Sequence, residues 1–268
     1  MGQKAVVRAD LEALRREVSR LERGSSPVAA DRFSTGSTQL DAALRGGLNR
    51  GALHEVFAAR TADEPSASGF AIMLAVRASE TRPVVWVRQD FAGVEAGHIY
   101  APGIAELGLS PDRLILVRAR DGPAVLRAGE EAARCPPLGA VLIEPWGAPK
   151  ALDLVASRRL ALAAARSNVP LFMVRAGAEP EPSAALTRWR VRAAPSTALE
   201  ADAPGHPAFN VELLRDRAGA AGRNWIVEWD RDQRVFKDRP LSNAPALSGG
   251  MVSLPAGGSP DAGVRRAV

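Results

Sequence analysis

Five short apolar runs, Leu53–Phe57, Val84–Val87, Leu114–Val117, Ala140–Ile143 and Leu171–Val174, recur along the chain with longer mixed stretches between them. Runs without polar alternation suit strands covered on both faces. The stretches Gly69–Ser79, Pro102–Leu107, Pro123–Arg134 and Pro149–Ser167 predict helices, the last with Leu152, Val155, Leu160 and Ala163 on one side. Strands alternating with helices predict a mostly parallel, doubly wound α/β sheet. A chain of 268 residues is long enough to bury the core of such a domain.

After Val174 the pattern changes to a loop at Gly177–Ser183, a strand at Leu186–Ala193, and two runs, Phe209–Arg215 and Asn224–Trp229, flanking the turn-rich Ala218–Gly222. Phe209, Val211 and Leu213 alternate with Asn210 and Glu212, while Trp225, Val227 and Trp229 alternate with Glu228. This period of two predicts antiparallel C-terminal strands and a hairpin with one buried face. At the other end, Val7, Leu11, Leu14, Val18 and Leu21 are spaced as one face of an amphipathic helix, which Gly24 terminates. The organisation expected is an N-terminal helix over 1–24, a linker over 25–32, a core over 33–240 and a tail over 241–268. In that tail 17 of 28 residues are Gly, Pro, Ala or Ser with no periodic apolar face, a composition that predicts disorder.

Several function classes drop out on composition. A single cysteine, Cys135, permits no internal disulfide, and His54, His98 and His206 have no metal-ligand spacing, so no metal site is expected. No stretch reaches the roughly 20 apolar residues of a membrane span, and the charged start lacks a signal-peptide centre, so a cytoplasmic protein without membrane contact is expected. The formal charge is +5, with 35 basic residues of which only Lys4, Lys150 and Lys237 are lysines. Arginine excess attracts phosphate without establishing nucleic-acid binding. On the Leu186–Ala193 strand, Arg188, Arg190 and Arg192 share one face beside Arg215 and Arg217, which makes a candidate ridge for DNA or a partner; a solvated strand face is the alternative. No Ser-His-Asp grouping has local support, and Cys135 has no nearby base.

The segment from Phe33 to Val56 carries Ser34-Thr35-Gly36, Leu40-Asp41, Leu44 and Gly46-Gly47-Leu48, followed by Gly51. It resembles the opening of the RecA-type recombinase core, in which such a segment leads into the strand before the phosphate loop. The resemblance extends weakly over residues 33–236. It implies a RecA-like fold, with Ser34 or Thr35 and Ser37 capping a short helix and the two glycines turning the chain back into the strand.

The resemblance also implies a Gly-rich loop ending in Gly-Lys-Ser/Thr, whose amides, ammonium and hydroxyl hold phosphates and magnesium. Here Ala58 to Ala71 contains no such ending. With Gly69 as the last glycine, Phe70 takes the lysine position, Ala71 the hydroxyl position and Glu64 the first glycine. Asp63 and Glu64 add negative charge, and the fork of Arg60 does not replace a P-loop lysine. Glu144 stands where the magnesium-side acid of the family sits, and Asp90 near its catalytic carboxylate. The site therefore reads as degenerate, without a cofactor and without catalysis.

A RecA-like chain with an N-terminal helix, a degenerate nucleotide site and a Gly/Pro-rich tail resembles the ImuA family of RecA-related accessory proteins. That resemblance implies an adaptor in bacterial SOS translesion synthesis, with ImuB as partner and with RecA or the error-prone C-family DNA polymerase in the same assembly. It makes Val7, Leu11, Leu14, Val18 and Leu21 the first candidate partner surface, with self-association through that helix a further expectation. The alternatives are an unconventional NTPase using Arg60, Asp90 and Glu144, or a division inhibitor similar to SulA.

Overall fold

The computed structural model describes residues 31–239 apart from 204, 218 and 220. The expected N-terminal helix and tail lie outside the described residues. The folded part opens with β1 (Arg32–Phe33), α1 (Thr38–Ala43) and β2 (Leu48–Asn49), the two short strands pairing antiparallel. It continues through β3 (Leu53–Ala58), α2 (Glu64–Ser79), β4 (Val84–Gln89), α3 (Asp90–Ala96), α4 (Ala101–Glu106) and β5 (Leu114–Ala119). Next come α5 (Gly122–Ala133), β6 (Ala140–Glu144), α6 (Leu154–Ser167) and β7 (Leu171–Arg175), and the chain closes with β8 (Thr187–Ala193), β9 (Ala208–Asp216), β10 (Arg223–Asp230) and β11 (Val235–Arg239).

Nine strands form one sheet in the order β11-β10-β9-β8-β3-β7-β6-β4-β5. From β8 to β5 every pairing is parallel, and from β8 to β11 every pairing is antiparallel. The five apolar runs are five of the six parallel strands, and β3, β4, β6 and β7 are almost wholly buried. Both faces are covered except at the edge strand β5, where Ile115 and Leu116 are 49% and 45% exposed, against the expectation for that run. Val56, Trp86, Leu142, Phe172 and Val174 belong to the same apolar cluster as α2, whereas Leu53, Val87, Val141, Ile143 and Met173 join the side chains of α5 and α6. The alternation in β9 and β10 holds: Phe209, Val211, Leu213, Trp225, Val227 and Trp229 all enter the α2 cluster.

The opening segment behaves as capping chemistry dictates. Ser37 is the N-cap of α1 and accepts from Leu40 N at 3.0 Å. Ser34 and Thr35 instead donate to Asp41, at 2.5 and 2.8 Å, which fastens the turn to the helix it precedes. Gly47 has φ of +112°, and a Cβ there would stand 2.1 Å from the Phe33 carbonyl oxygen, so only glycine fits the return into β2.

Three expectations shift. Helix α2 starts at Glu64 rather than Gly69, with Pro65 in its first turn. Helix α6 starts at Leu154, because the Asp153 side chain accepts from Ala156 N at 2.7 Å and caps it there. Val155 is consequently on the outer face at 66% exposure, and the buried stripe is Ser157, Leu160, Ala163 and Ala164. No helix among the described residues is long and apolar enough to cross a membrane.

Candidate functional site

In an open parallel sheet the ligand crevice lies at the carboxyl ends of the strands. Here that edge gathers the turn after β3, the ends of β4 and β6, and the first turn of α2. The turn is short. Arg60 leads into a single 3-10 turn at Thr61–Asp63, and α2 follows at once. Glu64 to Gly69, which the family resemblance places along a phosphate loop, are therefore the first helical turns.

Asp63 closes this turn down. It is 2% exposed, its Oδ2 accepts from Arg60 Nε at 3.0 Å, and its Oδ1 accepts from Ala193 N at 3.1 Å at the end of β8. Glu64, 4% exposed, begins α2 and places a carboxylate at the helix end that would otherwise attract a phosphate. Burial, followed by the nearby charge of Glu144, pushes the Glu64 carboxyl above its ordinary range.

Phe70, at the lysine position, is fully buried and faces the core. Its ring centroid lies 5.2 Å from that of Phe236 and 6.0 Å from those of Trp189 and Phe209. Ala71 is equally buried. The second turn of α2 is thus committed to packing, and a cation at position 70 would be surrounded by aromatic carbon without counter-charge.

Glu144, at the end of β6, is 1% exposed and already neutralised. Arg88 Nε from neighbouring β4 donates to Glu144 Oε2 at 2.7 Å, and Ser68 Oγ donates to Oε1 at 3.0 Å. The same guanidinium donates to the carbonyls of Gly97 and of Ala92, the latter at 3.2 Å. A charge-assisted pair inside the protein thereby occupies the carboxylate that would face magnesium. Asp90, at the start of α3, is exposed and paired with Arg118 Nε at 2.8 Å. Among the described residues no group of three His, Cys, Asp or Glu side chains is placed to hold a metal ion.

The basic ridge needs correction. Trp189 and Val191 do face the core, but Arg188 on the opposite face is only 8% exposed. Its Nε lies 2.8 Å from Oε2 of the fully buried Glu55, and its Nη2 donates to the Glu181 carbonyl. Arg175 Nη1 approaches Glu55 Oε1 at 3.7 Å, and its guanidinium lies 5.4 Å from the Phe57 ring centre. Arg190 pairs with Glu212 at 3.4 Å and Arg215 is half-buried, which leaves Arg192 and Arg217 exposed. The sequence signal for the buried pair was Glu55 itself, a carboxylate inside an apolar strand.

No family model matches the chain. Two curated relatives do, each named Protein ImuA and each from a strain of Caulobacter vibrioides; both are 35% identical over 212 residues, covering 73% of this chain and 82% of the relative. The chain belongs to the ImuA family. The ImuA assignment agrees with the fold: a RadB recombinase crystal structure superposes with a TM-score of 0.53 at 16% identity, covering 78% of this chain and all of the other. At that identity the likeness shows a RecA-like fold alone. In this ImuA-family chain the fold is retained, with Asp63, Glu64 and Phe70 buried and Arg88 paired with Glu144 at the carboxyl edge of the sheet.

Proposed function

We infer that this ImuA-family protein is a non-catalytic adaptor of the bacterial SOS translesion-synthesis assembly that binds ImuB. RecA or its DNA filament and the error-prone C-family polymerase are the other members of that assembly. The observation that carries this reading is the Arg88 Nε–Glu144 Oε2 pair at 2.7 Å, which supplies from within the protein the positive charge that a nucleotide-bound magnesium would bring. An NTPase using Arg60, Asp90 and Glu144 would find each of them already paired, with Asp63, Arg118 and Arg88 respectively. A preserved fold whose Glu144 is already paired with Arg88 favours binding surfaces over turnover.

The partner surface proposed is the seam of Val7, Leu11, Leu14, Val18 and Leu21, whose spacing gives an apolar stripe suited to a helix groove or a coiled coil. Co-purification of ImuB with the full chain tests it. Leu14→Asp together with Val18→Asp is expected to abolish recovery of ImuB while the thermal midpoint of the core stays in place. Undiminished recovery would move the interface off this segment.

A further inference from the structure

Helix α6 covers the sheet on the side away from α2, through Leu160, Ala163 and Ala164. Its other side is not uniformly polar. Val155 and Leu162, two helical turns apart and so in line, are 66% and 47% exposed, and Leu154 beside them is 54% exposed. Apolar side chains in a row along the crest of a helix make a narrow seam of the kind that a second helix covers.

Positive charge borders this seam on both sides. Arg159 leans towards α5, where its Nη2 donates to Glu130 Oε2 at 2.5 Å. Arg158 leans the other way, towards the start of the antiparallel strands. There the neighbouring Ser157 accepts from Ala184 N at 3.1 Å, and Arg217, just after β9, lies within the field of Arg158. Burial, followed by the like charges of Arg215, Arg188 and Arg158, lowers the pKa of the Arg217 guanidinium. Arg217 donates to the Ser183 carbonyl at 3.3 Å, a neutral partner. Arg166 continues the border one turn beyond Leu162. Helix α6 holds these three arginines and no acid, and among the described residues neither Arg158 nor Arg166 joins an ion pair. The charge left unpaired around the seam is therefore positive. Nucleic acid also meets positive charge, but phosphates gain nothing from the apolar crest between the arginines.

We propose that the outer face of α6 docks an amphipathic helix of a partner protein, whose apolar stripe covers Val155 and Leu162 and whose flanking carboxylates meet Arg158 and Arg166. Arg217 extends the basic border on the Arg158 side. The surface belongs to the folded core, on the opposite face of the sheet from α2. It is separate from the N-terminal seam and stands whichever partner that seam takes.

Two synthetic helical peptides of about three heptads supply the test. Both carry leucine at positions a and d, and they differ only at e and g, where one has glutamate and the other lysine. Each is labelled and titrated into the full-length protein, with anisotropy reading affinity and amide NMR shifts reading location. The glutamate peptide is expected to bind at least about tenfold more tightly than the lysine peptide, with the difference shrinking as salt is raised, and to perturb Val155, Leu162 and their neighbours on α6. Leu162→Glu, at an exposed position, is expected to leave the thermal midpoint in place and to weaken the glutamate peptide by at least about tenfold. Arg158→Glu together with Arg166→Glu is expected to reverse the preference. Leu14→Asp with Val18→Asp is expected to leave these affinities unchanged, which separates this surface from the N-terminal seam. Equal affinity for the two peptides, binding that survives Leu162→Glu or is lost in the Leu14/Val18 variant, or perturbations confined to other residues would overturn the proposal. So would an Arg158→Glu/Arg166→Glu variant that binds a duplex oligonucleotide more weakly while its peptide affinities stay the same, because the face would then be a nucleic-acid site.

Discussion

Arg88 Nε lies 2.7 Å from Glu144 Oε2, across the carboxyl ends of adjacent strands β4 and β6. Both side chains are at least nine-tenths buried. Removing one partner of such a pair strands the other charge away from water, whereas removing both removes the problem. Arg88→Met is therefore expected to lower unfolding stability by about 3–5 kcal/mol. The Arg88→Met/Glu144→Leu double variant is expected to recover most of that loss. Urea unfolding of the two variants checks the coupling, and additive losses would show that the pair is not a unit.

Phe70 decides whether the crevice can be reopened by a single change. Phe70→Lys would restore the family's lysine in sequence, yet it would place an ammonium within an aromatic core made with Trp189, Phe209 and Phe236. The expected outcome is loss of the cooperative thermal transition rather than gain of ATP binding. Circular dichroism melting and nucleotide titration of the variant distinguish the two results.

His54 makes stability depend on pH. It is fully buried, its Nδ1 lies 2.8 Å from Thr187 Oγ1 and its Nε2 lies 2.9 Å from the Asn49 carbonyl. Burial, the leading cause, lowers its pKa from 6.5 to about 4. The unfolded chain thus takes up a proton that the folded chain refuses between those values. Stability from this group is fully present above pH 6.5 and is lost as pH falls towards about 4, by a total of order 3 kcal/mol. Urea midpoints followed from neutral to acid pH should show the decline, and His54→Gln should flatten that part of the profile.

The ridge on β8 separates into structural and free arginines. Arg188→Glu places a second carboxylate beside buried Glu55 and is expected to cost about 3–5 kcal/mol in stability. Arg192→Glu, at an exposed position, is expected to leave the unfolding midpoint unchanged. If the protein contacts DNA phosphates along this face, Arg192→Glu lowers affinity and the salt slope together, which a fluorescence-anisotropy titration at several salt concentrations reads directly.

Much of the architecture was legible because covered strands must be continuously apolar and half-covered strands must alternate. Leu171–Val174 and the Phe209, Val211, Leu213 series follow those rules closely. The start of α2 was not, because the family pattern suggests a loop through Gly69; Pro65 preceded by Asp63 and Glu64 was the local signal of a helix N-terminus. Helix α3 carries Gly93 and only a short apolar face, too weak a period to read. For the candidate site, spacing located Glu144 and Phe70 but not their partners. Arg88 and Glu144 are 56 residues apart, and only the β4–β6 pairing brings them together. Arg188 shows the complementary failure: its face was read correctly, but period two does not reveal what covers that face.

The central claim is that this protein binds ImuB with its nucleotide crevice already neutralised from within. Calorimetric titration of purified ImuB into the full chain, with and without magnesium-ATP, tests it most directly. The account predicts a defined complex whose affinity is the same in both conditions and no ATP turnover by the chain. Absence of a complex, or ATP hydrolysis that disappears in Glu144→Gln, would contradict it.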